Sequence, residues 1–350
     1  MLSNKGFKTA LAALMLSTSL TAYADEPIIM HIATAGPPGH VQNSVVFPTW
    51  GKWIEDATEG RVQIKLEYGL GDQGSFFTLV EDGVADAAWS FHGYVPGRFR
   101  LTKMAELPGL GVNAEAASAA YWEVYQQYFA KAGEHDGVEL MGLFTHGPGQ
   151  IFSKQEINSL ADLQGKKIRL GGGIQQDIGE RLGVTPVAAP GPKVYELMQQ
   201  GIVDGVFMPA ASEKDFRLAE VAPNLTLLPG GLYLGSFAII ANEEFLDKLS
   251  AKDRQAVMAV SGAQLSILAG QAWDQSDKNG IAAAQQNQVA IKQVGDDSPL
   301  ALDYWKLTAG MDQNWIDSVS DPDVNAAEAL NRFRESAQRY QSQQGGSAAR

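Results

Sequence analysis

The chain has 350 residues, a formal net charge of −13 and no cysteine. The acidic balance argues against nucleic acid or anionic lipid as a partner, and the missing cysteines exclude disulfides and thiolate metal sites within this sequence. A chain of this length buries enough apolar surface to fold stably without such crosslinks.

The N-terminus predicts export. Lys5 and Lys8 precede an apolar run over residues 10–20, and a small-residue site ends at Ala24. This is the pattern of a secretory signal peptide spanning residues 1–24. Its removal leaves 326 residues, with 25 basic against 40 acidic side chains and a net charge of −15. The apolar run is too short to span a bilayer, so we expect a periplasmic protein without direct membrane insertion.

Strands and helices alternate in the first part of the mature chain. A strand is predicted over residues 28–33, and apolar residues at helical spacing predict a helix that ends at Gly60. A second strand follows over residues 61–66, and Ser75 is predicted to cap the next helix. That helix leads to Gly83 and into a further strand.

The same order returns later in the chain. Ser159 and Asp162 have the spacing of a capping box, a strand is predicted over residues 165–170, and a helix is predicted between Pro192 and Gly201. From Ser250 onward long helical stretches are predicted, with a frayed polar tail. Their breaks are expected around residues 279–280, 295–299 and 321–322, and the tail over residues 341–350.

Two segments resemble each other. Residues 79–87 (LVEDGVADA) and residues 197–205 (LMQQGIVDG) both describe a helix that ends at a glycine and a strand that starts with an aspartate. Two copies of strand, helix and strand favour two α/β lobes over a solenoid, which needs more repeats. Coincidence between common helix-to-strand junctions remains the alternative.

Taken together, these motifs resemble the DctP-type solute receptors of tripartite ATP-independent periplasmic (TRAP) transporters. The similarity covers essentially the whole mature chain and is most specific between residues 162 and 205. The motifs that carry it are, in chain order, the helix from Trp50 to Gly60, the Leu66-Glu67-Tyr68-Gly69 strand end, Gly83-Val84-Ala85-Asp86, Gly165-Lys166-Lys167-Ile168-Arg169, Leu182-Gly183-Val184-Thr185-Pro186-Val187, Val194-Tyr195-Glu196 and Gly201-Ile202-Val203-Asp204-Gly205.

The resemblance implies an α/β, two-lobed periplasmic binding protein fold with hinge strands, a long interlobe helix and C-terminal helices. Lobe one is expected over residues 25–148 plus about 235–272, and lobe two over 149–234 plus about 273–320. Residues 321–350 are expected to form a C-terminal helix and a frayed tail. The family binds a small organic acid between the lobes and delivers it to TRAP integral membrane subunits.

Arg169 is the principal candidate for ligand binding. The resemblance maps onto it the arginine that binds the ligand carboxylate in this family, and a planar guanidinium suits bidentate carboxylate binding. Its position between Ile168 and Leu170, before three glycines, favours this role over an exposed salt bridge at a strand edge.

Three departures from the family pattern bear on the ligand. Gly149 stands where many members have a second arginine, Pro190-Gly191-Pro192 replaces an aromatic residue, and Met208 replaces a polar one. The predicted pocket is therefore less charged than that of a sugar-acid or dicarboxylate receptor. A monocarboxylate with an apolar or aromatic body is the favoured ligand.

The remaining candidates lie near strand ends. Trp89, Phe91 and Tyr94 follow the Asp86 strand, where open α/β sheets bind ligands, although core packing explains each of them separately. His92 and His146 are candidate hydrogen-bond donors to a ligand oxygen. The other candidate ligand contacts are Glu67, Gln150, Met208 and Gly171, the first residue of the glycine triplet.

Two alternatives remain at this point. The chain has no GxSxG serine elbow, no HExxH helix and no cysteine nucleophile, so a secreted hydrolase or lyase is disfavoured and no enzymatic activity is expected. The five histidines lack the spacing of metal ligands, and neither a metal nor another cofactor is expected. The receptor of an ATP-driven importer shares the two-lobed shape and is the second alternative.

Overall fold

The computed structural model describes residues 26–348, with side chains as far as Gln344. The predicted signal peptide, residues 1–24, lies outside this range. No helix in the described part of the chain is long and apolar enough to cross a membrane.

The strands of residues 26–348 form two separate sheets. In chain order they are β1 (Ile28–Thr34), β2 (Val62–Tyr68), β3 (Ala87–Phe91), β4 (Glu139–Thr145), β5 (Gly149–Ser153), β6 (Lys167–Leu170), β7 (Thr185–Ala188), β8 (Gly205–Pro209), β9 (Asn224–Leu227), β10 (Ser236–Ala241) and β11 (Ala290–Gln293).

The α-helices surround these sheets. They are α1 (Phe47–Ala57), α2 (Phe76–Glu81), α3 (Ala114–Val124), α4 (Ile174–Leu182), α5 (Val194–Gln199), α6 (Ser212–Asp215), α7 (Glu243–Lys248), α8 (Ala251–Ala259), α9 (Ala263–Gln286), α10 (Pro299–Thr308), α11 (Met311–Ser318) and α12 (Ala326–Ala348).

The two sheets have matching topologies. The first has the strand order β2-β1-β3-β10-β4, and the second has β11-β9-β5-β8-β6-β7. In each sheet three neighbouring parallel strands (β2, β1, β3 and β7, β6, β8) are followed by one antiparallel strand, β10 or β5. We call the lobe built on the first sheet lobe one and the lobe built on the second sheet lobe two.

The sequence repeat occupies equivalent places in this topology. Helix α2 leads through Gly83 into β3, and α5 leads through Gly201 into β8. Both glycines have positive φ, 67° and 71°, a conformation that glycine adopts without steric cost. Strands β3 and β8 are buried along their whole length, as expected for central strands covered on both faces.

Helix α1 illustrates how the outer helices pack. Phe47, Trp50 and Ile54 are fully buried on one face, at the spacing of an amphipathic helix. Gly51 lies on the same face, where a Cβ would come within 2.6 Å of the Ile64 side chain. A larger residue at position 51 would therefore push the helix away from the first sheet.

Helix α9 differs from the sequence prediction. A break was predicted around residues 279–280, but the helix continues without interruption to Gln286. Gly280 lies against lobe two, where a Cβ would overlap the Ala210 backbone. The glycine permits a close approach between the helix and this backbone and does not end the helix.

Two further predictions are corrected. Ser75 makes no capping hydrogen bond to α2 and instead donates to the Asp72 carbonyl, 2.7 Å away. In the tail predicted to be frayed over residues 341–350, the described residues continue α12 as far as Ala348, and residues 349–350 lie outside the described part of the chain. Gln341 and Gln344 explain the continued helix, since their side chains accept hydrogen bonds from the Asn113 backbone and side chain.

The chain passes between the sheets at residues 146–148 and 228–235. Helix α9 also contacts both lobes, because it packs on α3 and β4 of lobe one and on α6 and β11 of lobe two. The carboxyl ends of β1 and β3 face those of β6 and β8 across the cleft, where open α/β sheets place their ligands.

Candidate functional site

A cavity lies between the two lobes. It offers about 50 Å³ to the centre of a water-sized sphere, which is room for several water molecules. Its walls come from the strand ends of both sheets, from the segments that join the lobes and from α9. The lining residues are Ala35, Gly36, His40, Gln73, Trp89, Phe91, Tyr94, His146, Arg169, Gln175, Gly191, Pro192, Met208, Pro209, Ser212, Phe216, Tyr233, Phe237 and Trp273.

Arg169 is the cation of this cavity. Its residue surface is only 2% exposed, and its Nε donates to the Ala189 carbonyl oxygen at 2.8 Å. Among the ion pairs of residues 26–348, none involves Arg169. A buried charge without a counterion is energetically costly, so this position favours a bound anion.

Tyr94 connects the two lobes beside this cation. Its hydroxyl oxygen accepts hydrogen bonds from the Gly191 backbone at 2.8 Å and from Arg169 Nη2 at 3.2 Å. With both acceptor positions occupied, the hydroxyl proton is free to be donated. Tyr94 therefore orients the guanidinium and supplies a donor of its own from lobe one.

Two amide side chains add further donors. Gln175 Oε1 accepts from the Gly171 backbone at 3.0 Å, which leaves Gln175 Nε2 available as a donor. Gln73 Nε2 is buried and has no hydrogen-bond partner among the described residues. Gln73 belongs to lobe one and Gln175 to lobe two. An anion in the cavity therefore lies between hydrogen-bond donors of both lobes.

The rest of the cavity is largely aromatic. Phe91 contacts Phe237 with ring centroids 5.2 Å apart, Phe237 contacts Trp89 at 5.7 Å, and Phe237 is stacked on Trp273 at 6.2 Å. Phe216 adds a ring from lobe two. Such walls favour a flat apolar ligand body, because buried aromatic surface contributes both area and ring contacts.

The cavity also contains two neutral histidines. Burial lowers the pKa of His146 to about 4 and that of His40 to about 4, so both rings are uncharged at neutral pH. His146 lies beside Tyr233, with ring centroids 5.3 Å apart. Neither histidine adds positive charge, and Arg169 is the only charged lining residue at neutral pH among those that the structure describes.

Six of the predicted contacts are brought together here. The residues Arg169, Trp89, Phe91, Tyr94, His146 and Met208 all line the cavity. Gly149, the position without the expected second arginine, faces Tyr233, and a Cβ there would lie within 2.7 Å of two of its ring carbons. The Tyr233 ring therefore occupies the space next to position 149.

Four predicted contacts lie elsewhere. His92 is buried in lobe one, where its nitrogens pair with Ser236 and His135. Glu67 pairs with His31 and Lys65 at the edge of the first sheet. The other two are Gln150, which bonds to the Leu228 backbone, and Gly171, which lines a second groove between the lobes.

The lobes touch directly beside this second groove. Gly172 packs against Gly93 so closely that a Cβ on Gly172 would overlap the Gly93 carbonyl oxygen. Glu106 of lobe one accepts a hydrogen bond from the Ile174 backbone of lobe two at 2.8 Å. Burial raises the pKa of Glu106 to about 7. These contacts define a closed arrangement of the lobes.

Several lining residues escaped the sequence analysis. His40 follows a turn-forming loop, Gln73 lies in a short turn, and Trp273 belongs to an amphipathic helix. Gln73 combines a buried Nε2 without a partner with a place in the cavity wall, and both features are visible only in three dimensions. Among the described residues, no cluster of three or more histidine or acidic side chains is arranged to hold a metal.

The model of the DctP family, described as bacterial extracellular solute-binding protein, family 7, matches residues 32–300. A TRAP periplasmic solute-binding protein from Bordetella bronchiseptica, solved with bound (R)-mandelate and (S)-mandelate, is 35% identical. The match covers 89% of this chain and 99% of that chain, with a TM-score of 0.86.

Two further relatives are similar over most of their length. A marine metagenome TRAP solute-binding protein specific for aromatic acid ligands, solved with 3-hydroxybenzoate, is 26% identical with a TM-score of 0.83 over 90% of this chain and 99% of that chain. A protein of Comamonas testosteroni named outer membrane transporter protein TsaT is 29% identical over 93% of this chain and 96% of its own length.

Proposed function

Because the chain belongs to the DctP family of bacterial extracellular solute-binding proteins, we propose that it is a TRAP receptor for an aromatic monocarboxylate. Family membership confirms the resemblance drawn from the sequence motifs, and the two-sheet architecture confirms the predicted fold class. We also propose export to the periplasm, removal of the signal peptide after Ala24 and delivery of the ligand to TRAP integral membrane subunits.

Burial of Arg169 without a counterion is the observation that carries this proposal. A guanidinium that is 2% exposed and has no acidic partner within the described residues favours an external acid. Tyr94, Gln73 and Gln175 surround it with hydrogen-bond donors, whereas a second cation is missing from the lining. One carboxylate matches one guanidinium, and a second carboxylate would remain unpaired in an apolar cavity.

The aromatic character of the proposed ligand follows from the residues that line the cavity. Trp89, Phe91, Phe216, Phe237 and Trp273 surround the space next to Arg169. The Bordetella bronchiseptica relative was solved with mandelate and the metagenome relative with 3-hydroxybenzoate, both aromatic monocarboxylates. A sugar acid would leave several hydroxyl groups without partners against these rings.

Closure is the proposed mechanism. The acid first binds Arg169 on lobe two, and rotation of the lobes then brings Tyr94 and Gln73 of lobe one against it. A ligand shifts such an equilibrium only by the difference in its affinity for the two states, so donors on both lobes are required. We propose the predicted lobe boundaries, with hinges at residues 146–148 and 228–235.

The competing functions differ in what they require. A hydrolase or lyase needs a nucleophile or an acid-base pair beside its substrate, but burial lowers the pKa of both lining histidines to about 4, which makes them weak bases. A receptor of an ATP-driven importer would share the cavity. Genes for a small and a large integral membrane subunit beside this gene would support the TRAP assignment over that alternative.

Calorimetry with a panel of acids tests the proposal. Benzoate and mandelate are expected to bind, and succinate is expected to bind weakly or not at all. Arg169→Ala leaves a buried carboxylate unpaired, which costs about 2–5 kcal/mol, or roughly 30-fold to several thousand-fold in affinity. Arg169→Lys restores binding only partly, because an ammonium lacks the planar fork.

The control is Arg217→Ala. Arg217 also belongs to lobe two, but its side chain is 65% exposed and pairs with Glu220 on the surface. Its removal should leave all affinities unchanged. Binding of benzoate by Arg169→Ala with the affinity of the wild type would refute the proposed function.

A further inference from the structure

The cavity has a second polar end at His40 of lobe one, and Asp215 of lobe two, which is not itself a lining residue, has its Oδ2 3.8 Å from His40 Nε2. The His40 ring contacts Trp89 and Trp273, with centroids 5.2 and 5.3 Å away. A chain of ring contacts connects this end to Arg169. Trp89 contacts Phe237, Phe237 contacts Phe91, and Phe91 contacts Tyr94, which bonds Arg169. The Arg169 charge contributes to the lowered pKa of His146, whereas burial alone accounts for the lowered pKa of His40.

His40 presents a hydrogen-bond donor at this end. Its Nδ1 accepts a hydrogen bond from the Gln42 backbone at 3.3 Å, so the neutral ring carries its proton on Nε2. The His40 side chain is 4% exposed, and among the described residues Nε2 has no acceptor within hydrogen-bonding distance. The nearest acidic oxygen, Asp215 Oδ2, is 3.8 Å away, too far for a direct hydrogen bond.

Asp215 presents the matching acceptor. Its side chain is 6% exposed, and Oδ2 is buried without any hydrogen-bond partner in the described part of the chain. Burial raises the pKa of this carboxyl to about 7. The indole N–H of Trp273, on the ring that meets His40 edge-on, is also buried without an acceptor. Buried polar groups are rarely left unpaired in proteins.

We propose that His40 and Asp215 bind a hydroxyl group on the aromatic ring of the ligand, at the end opposite its carboxylate. A hydroxyl accepts one hydrogen bond and donates another, so one group satisfies both His40 Nε2–H and Asp215 Oδ2. An amino substituent is a poor acceptor and leaves His40 unpaired. The ligand class is therefore a hydroxyaromatic monocarboxylate, an inference that rests on the proposed function.

His40 and Asp215 belong to different lobes, so the ring hydroxyl also connects them. His40 follows β1 of lobe one, and Asp215 ends α6 of lobe two. A hydroxylated acid thus makes contacts across the cleft at both of its ends. An unsubstituted acid makes them at the carboxylate end only.

The test compares benzoate with 3-hydroxybenzoate, 4-hydroxybenzoate and 4-aminobenzoate by calorimetry at pH 8. At least one hydroxybenzoate should bind about 10- to 100-fold more tightly than benzoate, as expected for hydrogen bonds that involve a charged group. In Asp215→Ala and in His40→Phe the ratio of hydroxybenzoate affinity to benzoate affinity, both measured on the same variant, should fall to about threefold or less. The aminobenzoate should show no gain over benzoate.

Asp215→Asn and Glu213→Gln complete the set. Asp215→Asn keeps the size and an acceptor oxygen, so it should fold and retain part of the preference. Glu213 is a buried acid on the same helix, but its carboxylate accepts hydrogen bonds from the Ala219 backbone and the Asn287 side chain. Glu213→Gln should therefore retain the whole preference for the hydroxybenzoate.

The outcomes separate the two proposals. Benzoate binding without any gain from a ring hydroxyl overturns this inference and leaves the proposed function intact. A preference that persists in both Asp215→Ala and His40→Phe also overturns it, because the hydroxyl is then bound elsewhere. Failure of every aromatic acid to bind overturns the proposed function and this inference together.

Discussion

Replacing Gly172 with alanine tests whether closure of the lobes produces affinity. The backbone of Gly172 has a φ of 105°, and a Cβ there would lie 3.0 Å from the Gly93 carbonyl carbon and overlap its oxygen. Both residues lie on the surfaces where the lobes meet. The lobes of the variant must therefore stay apart, although no residue of the cavity wall has changed.

The expected loss follows from the contacts next to Gly172. Separation breaks the bond from the Gly191 backbone to Tyr94 and the bond from the Ile174 backbone to Glu106, both 2.8 Å long. A neutral hydrogen bond contributes about 1 kcal/mol and one to a charged group about 1.5–3 kcal/mol. Their loss of about 2.5–4 kcal/mol weakens binding roughly 70- to 900-fold.

Gly165→Ala is the matched control. Gly165 has a φ of 71° and no atom within 4 Å of the position of a Cβ, so alanine there strains the backbone without touching lobe one. Both variants should lose about 1 kcal/mol of unfolding free energy, but only Gly172→Ala should lose affinity. Small-angle X-ray scattering should show ligand-induced compaction in Gly165→Ala and none in Gly172→Ala. Wild-type affinity in Gly172→Ala would refute the link between closure and binding.

Two further predictions concern single polar groups. Tyr94→Phe leaves the Gly191 N–H without its acceptor and should weaken benzoate binding about 5- to 30-fold, a loss of about 1–2 kcal/mol; unchanged calorimetric affinity would show that the hydroxyl is dispensable. Burial raises the pKa of Asp277 from 3.8 to about 7. The folded state therefore favours the protonated carboxyl, and the stability that this proton contributes is lost as the pH rises towards 7. Asp277→Asn should gain stability over the wild type by about 1.4 kcal/mol per pH unit between pH 5 and pH 7, measured by urea unfolding; a difference independent of pH would contradict this.

The family resemblance, supported by the local sequence, pointed to Arg169, and the structure places this side chain in the cavity between the lobes. An arginine between Ile168 and Leu170 lies in a strand that must be buried, and the following glycines bring backbone close to its side chain. The repeat over residues 79–87 and 197–205 likewise indicated two lobes, because each copy holds a complete helix-to-strand junction.

Side chains alternate in direction along an extended chain, and this explains why two adjacent candidate ligand contacts lie in different places. Phe91 and His92 are adjacent, yet Phe91 lines the cavity while His92 is bonded inside lobe one. Successive residues of a strand face opposite sides, and the sequence alone does not state which side faces the cleft. His40, Gln73 and Trp273 meet only because two lobes and a long helix pack together, which no local pattern encodes.

The resistance of helix α9 to bending contributes to ligand affinity. Gly270 fixes its first half to lobe one at Ala114, and Gly280 fixes its second half to lobe two at Ala210. These anchors are ten residues apart, about 15 Å along the axis. Any rotation of the lobes that keeps both anchors must bend the helical turns between them, and this bending stores elastic energy. Substitutions on the solvent face of these turns would then change the affinity for every ligand alike and leave the ranking of the ligands by affinity unchanged.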